Sequence, residues 1–123
     1  MRILVVDDDA IVIKSCTRIL ELEGYAVSTV AGADEALEML RRDSFDLLLV
    51  DVKMPKRDGV FLMKEIRKDF PDVPIIVMSG YSTAETIADA LRSGATQFIA
   101  KPFRPDELVK VVHQVLKNQV HTK

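Results

Sequence analysis

Short apolar runs alternate along this chain with longer stretches in which apolar residues recur every three or four positions. The runs are Ile3-Leu4-Val5-Val6, Ala26-Val27 with its neighbours, Leu47-Leu48-Leu49-Val50, Ile75-Ile76-Val77-Met78 and Phe98-Ile99-Ala100. The first, third and fourth are apolar without alternation, the pattern of strands covered on both faces of a parallel sheet, and are expected at its centre. Between them the period becomes helical. Val12, Cys16, Ile19 and Leu20 share one face, as do Ala33, Ala36, Leu37 and Leu40, and then Leu62 and Ile66. Ala84, Ile87, Ala88 and Leu91 form the next stripe, and Leu108, Val109, Val112, Val115 and Leu116 the last. Each stripe predicts a helix packed on the sheet. Gly24 and Gly94 fall just past helical stretches, where a C-cap needs positive φ, and each is followed by a new strand. Five βα units imply an open α/β sheet with right-handed crossovers, since a closed eight-unit barrel needs about twice the length.

At 123 residues the chain is expected to form one domain over 1–123, large enough to bury a core without disulfides or structural metal. Hydrophobic residues make up 48% and charged residues 29%, a balance that fits a folded globular protein rather than a disordered one. A net charge of -2 leaves no basic footprint for nucleic acid, and all five βα units are accounted for before any helix-turn-helix could fit, so direct nucleic-acid binding is not expected. The single cysteine, Cys16, excludes an internal disulfide and a thiolate zinc site and suits a reducing cytoplasm. No apolar run approaches the roughly 20 residues that span a bilayer, and the chain enters its first strand without a signal peptide, so neither membrane insertion nor export is expected.

In open α/β sheets ligands bind beyond the carboxyl ends of the strands, near the point where strand order reverses. Polar residues follow the strong apolar runs there: Asp7 and Asp8, Asp51, Ser79 and Lys101. Two unit charges about 4 Å apart repel by roughly 4 kcal/mol at an effective dielectric near 20, so an acidic cluster such as Asp7, Asp8 and Asp9 needs protons, a cation or water. Hard carboxylate oxygens suit Mg²⁺, with Mn²⁺ as an alternative, and Mg²⁺ typically takes one or two carboxylates, waters and a phosphate oxygen. If a phosphoryl group enters, one carboxylate can act as nucleophile. Asp51 is the choice, as a single acid closing a rigid strand, while Asp7 and Asp8 form a pair suited to holding metal. Lys101 would counter charge on the phosphoryl oxygens and Ser79 would donate a hydrogen bond to one of them.

The stretches VVDDDA, LLLVDVKMPKRDG, IIVMSGYS and FIAKPF, in this order and spacing, resemble the receiver domain of bacterial two-component response regulators, over essentially the whole chain. The resemblance implies a (βα)5 flavodoxin-like three-layer sandwich with a five-stranded parallel sheet of order 2-1-3-4-5. It implies that Asp51 is the phosphorylated aspartate, that Asp8 binds Mg²⁺ directly and Asp7 through water, and that Lys53 lends its backbone carbonyl to the metal. Ser79 matches the switch hydroxyl, Lys101 the family's lysine, and Phe98 the aromatic that follows the hydroxyl inward, without a phenol hydroxyl. By the same resemblance Lys53 and Tyr81 flank the phosphoryl site and tune its hydrolysis, and the expectation for Tyr81 is that its ring partly shields the acyl phosphate from attacking water. The implied partners are a sensor histidine kinase or phosphotransfer protein as donor, and an output domain or separate effector as receiver of the signal. A second copy could pair through the face of the fourth helix, fifth strand and fifth helix. A cis Lys101-Pro102 bond is also implied.

Plainer readings hold elsewhere. Asp9 before Ala10 reads as a helix N-cap, Asp58-Gly59 as a tight turn and Cys16 as inert core filler. His113 and His121 are not read as ligands, and Lys64, Arg67 and Lys68 read as a solvated helix face. Three other functions compete. A haloacid-dehalogenase-like Mg²⁺ phosphatase would need an aspartate where Lys53 stands. A flavodoxin-like cofactor binder would need a Gly- or Ser/Thr-rich loop after the first strand instead of three anions. A degenerate receiver serving only as a scaffold would not need all five site residues.

Overall fold

A computed structural model describes residues 1–52, 59–80 and 83–121, the last three by their backbone only. Ten elements alternate: β1 (Arg2–Val6), α1 (Ala10–Leu22), β2 (Ala26–Val30), α2 (Ala33–Arg42), β3 (Leu47–Asp51), α3 (Gly59–Asp69), β4 (Ile75–Ser79), α4 (Ala84–Arg92), β5 (Gln97–Ala100) and α5 (Pro105–His121). All strand pairs are parallel and the sheet order is β2-β1-β3-β4-β5. The three unbroken apolar runs are the central strands β1, β3 and β4. Every residue of β3 and β4 is buried, whereas the edge strands β2 and β5 carry exposed positions.

Because side chains alternate across a strand, each central strand feeds two cores. Ile3, Val5, Leu47, Leu49, Ile76 and Met78 face α1 and α5. Leu4, Val6, Leu48, Val50, Ile75 and Val77 face α2, α3 and α4. The result is a three-layer α/β/α sandwich.

The helix ends follow local chemistry. Asp9 caps α1, its carboxylate accepting from the Ile11 amide at 2.9 Å. Gly24 and Gly94 adopt φ of 92° and 116°, and both close Schellman-type ends: Tyr25 N–H donates to Leu20 and Ala95 N–H to Ala90. Phe70 and Leu91 remain among the exposed apolar residues.

Two expectations from the sequence need correction. The buried residue of α4 is Ala90, with Ile87 half-buried, while Leu91 and Ala84 of the expected stripe are exposed. Alanine contributes little to a hydrophobic stripe yet permits close packing, so pattern alone rotated this helix incorrectly. Arg67 is not part of a solvated face: its guanidinium donates to the carbonyls of Gly94 (3.1 Å from Nε and 2.6 Å from Nη2), Phe70 (3.0 Å) and Val73 (2.7 Å). Gly59 is the first residue of α3, its amide donating to the Val52 carbonyl at 3.1 Å. Asp58 lies outside the described residues.

Candidate functional site

The carboxyl ends of β1, β3, β4 and β5 open on one side of the sheet, and the polar residues predicted from the sequence stand there. Asp7 follows β1, its amide still donating to Val30 of β2 at 3.2 Å. Asp51 ends β3 in register with Met78, and Ser79, one residue further, ends β4. Lys101 follows β5, held by its amide on the Ser79 carbonyl at 2.8 Å. Parallel pairing of β1 with β3 and of β3 with β4 therefore brings together residues far apart in the chain.

Asp7 and Ser79 are fully buried and Asp51 is 5% exposed, whereas Asp8 is exposed. One carboxylate oxygen from each of Asp7, Asp8 and Asp51 lies within 4.8 Å of the others. Three hard anionic donors at that spacing fit a hard divalent cation, two from a rigid interior and one at the solvent edge.

The Lys101 ammonium already partly neutralises this cluster, with Nζ 2.8 Å from Asp7 Oδ2 and 3.4 Å from Asp51 Oδ2. Burial pulls the Lys101 pKa down, but the hydrogen bond its ammonium donates to Asp7 and the charges of Asp51 and Asp7 outweigh it, and the net shift is upward. The other oxygen of Asp7 accepts from the Asp9 amide at 2.9 Å. Asp9 thus acts twice, capping α1 and fixing Asp7. The sequence signal for the second role is the Asx-turn spacing of Asp7 and Asp9, which a reading of Asp9 as a cap alone passes over. Among the described residues no buried side-chain polar atom lacks a hydrogen-bond partner.

Cys16 lies beneath the site. Burial first, and then the charge of Asp7, push its thiol up to about 11, with Lys101 opposing, so it stays protonated at neutral pH and fills space. Phe98 sits on β5 in register with Val77, half-buried against the core of α2, α3 and α4. His113 is remote from the acids, its ring edge-on to Tyr25 and its Nε2 3.5 Å from Glu23. The expected Lys101-Pro102 cis bond is present. Lys53 and Tyr81 lie outside the described residues. Among the described residues no helix is long and apolar enough to cross a membrane.

The profile of the response regulator receiver domain matches residues 3–113. The chain is 39% identical over 117 residues to the transcriptional regulatory protein ZraR of Escherichia coli K12, covering 93% of this chain and 26% of that protein. It is 38% identical to the response regulator MprA of Mycobacterium leprae, covering 95% of this chain and 51% of that one. The chain therefore spans between a quarter and about half of the length of these relatives. Among solved structures, a CheY-like receiver domain protein from Methanospirillum hungatei JF-1 superposes with a TM-score of 0.93 at 35% identity, covering 99% of this chain and 98% of that one. NtrX from Brucella abortus gives 0.94 at 34% identity, over 98% of this chain and 28% of that one.

Proposed function

Since this chain belongs to the receiver domain family of response regulators, we propose that it is a phospho-aspartate switch with Asp51 as the phosphoacceptor. The observation that carries this reading is the convergence of Asp7, Asp8 and Asp51 within 4.8 Å around a lysine ammonium that contacts two of them. In the proposed reaction a carboxylate oxygen of Asp51 attacks the phosphorus of a phosphohistidine on a sensor kinase or phosphotransfer protein. The new O–P bond forms as the P–N bond breaks, and the imidazole leaves with the electron pair. The work asked of the protein is positioning and charge stabilisation.

Asp8 and Asp51 would hold Mg²⁺ directly, Asp7 through water, and the Lys53 carbonyl would complete the protein's share. When bound, Mg²⁺ neutralises charge shared between carboxylates and phosphoryl oxygens. Lys101 pairs with a phosphoryl oxygen, and its raised pKa keeps it cationic at neutral pH. Ser79 donates its hydroxyl to another. Tyr81 limits the approach of hydrolytic water.

The switch reads out through the face of α4, β5 and α5. Drawing Ser79 toward the phosphoryl group frees space that the half-buried Phe98 can enter, and a phosphoryl group favours whichever conformer it contacts better. The recipient is an output domain or a separate effector, or a second copy paired through the same face. The relatives include transcriptional regulators of which the matched segment is only a part, which supports an output domain as recipient. The proposed setting is the bacterial cytoplasm.

Incubation with acetyl phosphate and Mg²⁺ is expected to add one phosphoryl group, seen by mass spectrometry, and to fail in Asp51→Asn or with a chelator. Labelling that persists in Asp51→Asn overturns the assignment of the nucleophile.

A further inference from the structure

The phosphoacceptor strand ends against a helix that approaches it unusually closely. Gly59, the first residue of α3, donates its amide to the Val52 carbonyl, and its Cα faces the backbone of Asp51, which ends β3, and of Val52, which follows it. A methyl group added at Gly59 would stand 2.7 Å from the Asp51 carbonyl oxygen, 2.8 Å from Val52 Cα and 3.2 Å from the Asp51 carbonyl carbon. All three neighbours are backbone atoms, so no side chain can swing aside. Either the start of α3 or the end of β3 must move.

The two do not yield equally. Through Val50, β3 pairs with β1 on one side and β4 on the other. At Asp51 the β1 pairing has ended and only the β4 side remains, with the Val52 amide on Met78 at 3.2 Å. On the helix side, α3 is anchored by the fully buried Leu62, Met63 and Ile66. The strand end is thus the less restrained partner, and it carries the carboxylate.

We propose that Gly59 is a positioning residue for Asp51: the absence of a side chain lets α3 butt against the strand end and fix the Asp51 carboxylate in reach of Asp7, Asp8 and Lys101. This inference rests on the phospho-aspartate reading given above. It matters because Mg²⁺ demands near-ideal octahedral geometry with short oxygen distances, and a misplacement of about 1 Å in a reacting group can cost on the order of 100-fold in rate.

The test is Gly59→Ala beside Gly24→Ala. Gly24 has φ of +92° and nothing within 4 Å of an added methyl, so its substitution strains the backbone at the opposite end of the strands without touching the site. A purely structural role for Gly59 would lower stability in both variants and leave the site alone. The expected result is that Gly59→Ala weakens Mg²⁺ binding by about 10-fold or more, measured by calorimetry, while Gly24→Ala keeps the wild-type affinity. Phosphorylation by acetyl phosphate at saturating Mg²⁺ should fall by roughly 100-fold in Gly59→Ala.

A folded Gly59→Ala protein with wild-type Mg²⁺ affinity overturns the proposal. If the variant unfolds in buffer, the titration is repeated in trimethylamine N-oxide, which favours compact states. A variant that stays unfolded there assigns Gly59 to folding and also overturns the proposal. Failure of the wild type itself to take Mg²⁺ or a phosphoryl group refutes the phospho-aspartate reading instead, so the two failures are distinguishable.

Discussion

Lys101 shows how one side chain ties stability to the site. Its side chain is 19% exposed, and its ammonium lies 2.8 Å from the fully buried Asp7 carboxylate. Lys101→Met keeps most of the aliphatic stem but leaves Asp7 with the Asp9 amide and, among the described residues, no paired cation. Removing one partner of a fully buried pair costs about 3–5 kcal/mol. Here the ammonium retains part of its hydration, and about 2 kcal/mol is the expected loss in metal-free urea unfolding. The sign of the pH dependence follows from the direction of the shift. A lysine whose folded pKa lies above its ordinary 10.5 stabilises fully below that value, and the contribution fades as pH rises through the higher folded pKa. As pH rises, the stabilities of wild type and Lys101→Met should therefore converge only under strongly alkaline conditions. A gap that closes near neutrality would contradict the pairing. Asp7, Asp51 and Lys101 were legible in the sequence because each directly follows or closes an apolar run. The contact between Asp9 and Asp7 was less visible, since one residue serves as cap and clamp together.

Helix placement was legible from periodicity, and helix rotation only where the stripe was strong. For α1 the expected Cys16 and Leu20 are buried, whereas α4 presents Ala90 to the core and leaves Leu91 48% exposed. Arg67 was misread for a related reason: charge predicts hydration, but a guanidinium with five donors can saturate several carbonyls at once. Its four hydrogen bonds join the end of α3, the connection into β4 and the turn after α4. Gly94 is coupled to it, because an added methyl there would meet Arg67 Cγ at 2.9 Å. The C-terminal end of α4 is thus pinned to α3, while its N-terminal end is capped by Thr83. Arg67→Met is expected to lower stability by about 2–3 kcal/mol through unsatisfied carbonyls and a lost charged donor. Arg67→Lys should recover less than half, because one ammonium cannot span the same fork. Urea midpoints for the two variants check this. A lysine variant as stable as wild type would show that charge, not the planar fork, holds the junction.

The sheet order makes the site possible and also makes it costly. Because β1 lies between β2 and β3, the chain reverses its direction of travel across the sheet beside β1, and the strand ends there form a crevice instead of a closed layer. Strands 44 residues apart in the chain, paired as Ile3 with Leu47, bring like-charged carboxylates together on a protein whose net charge is only -2. The repulsion is therefore local, offset in part by Lys101, and the apolar layers on both faces of the sheet hold it in place. A divalent cation that binds this arrangement and not the unfolded chain must stabilise the fold by mass action, by about 2.7 kcal/mol at 100 times its dissociation constant. For a domain of this size that corresponds to a rise in Tm of roughly 8–15 °C. Mg²⁺ should produce this rise in wild type. In Asp8→Asn the Mg²⁺ gain should be largely lost while the metal-free protein becomes more stable, because one repelling charge is gone. Thermal unfolding with and without Mg²⁺ measures both effects. An Asp8→Asn protein that gains as much from Mg²⁺ as wild type would place the cation somewhere other than between these three carboxylates.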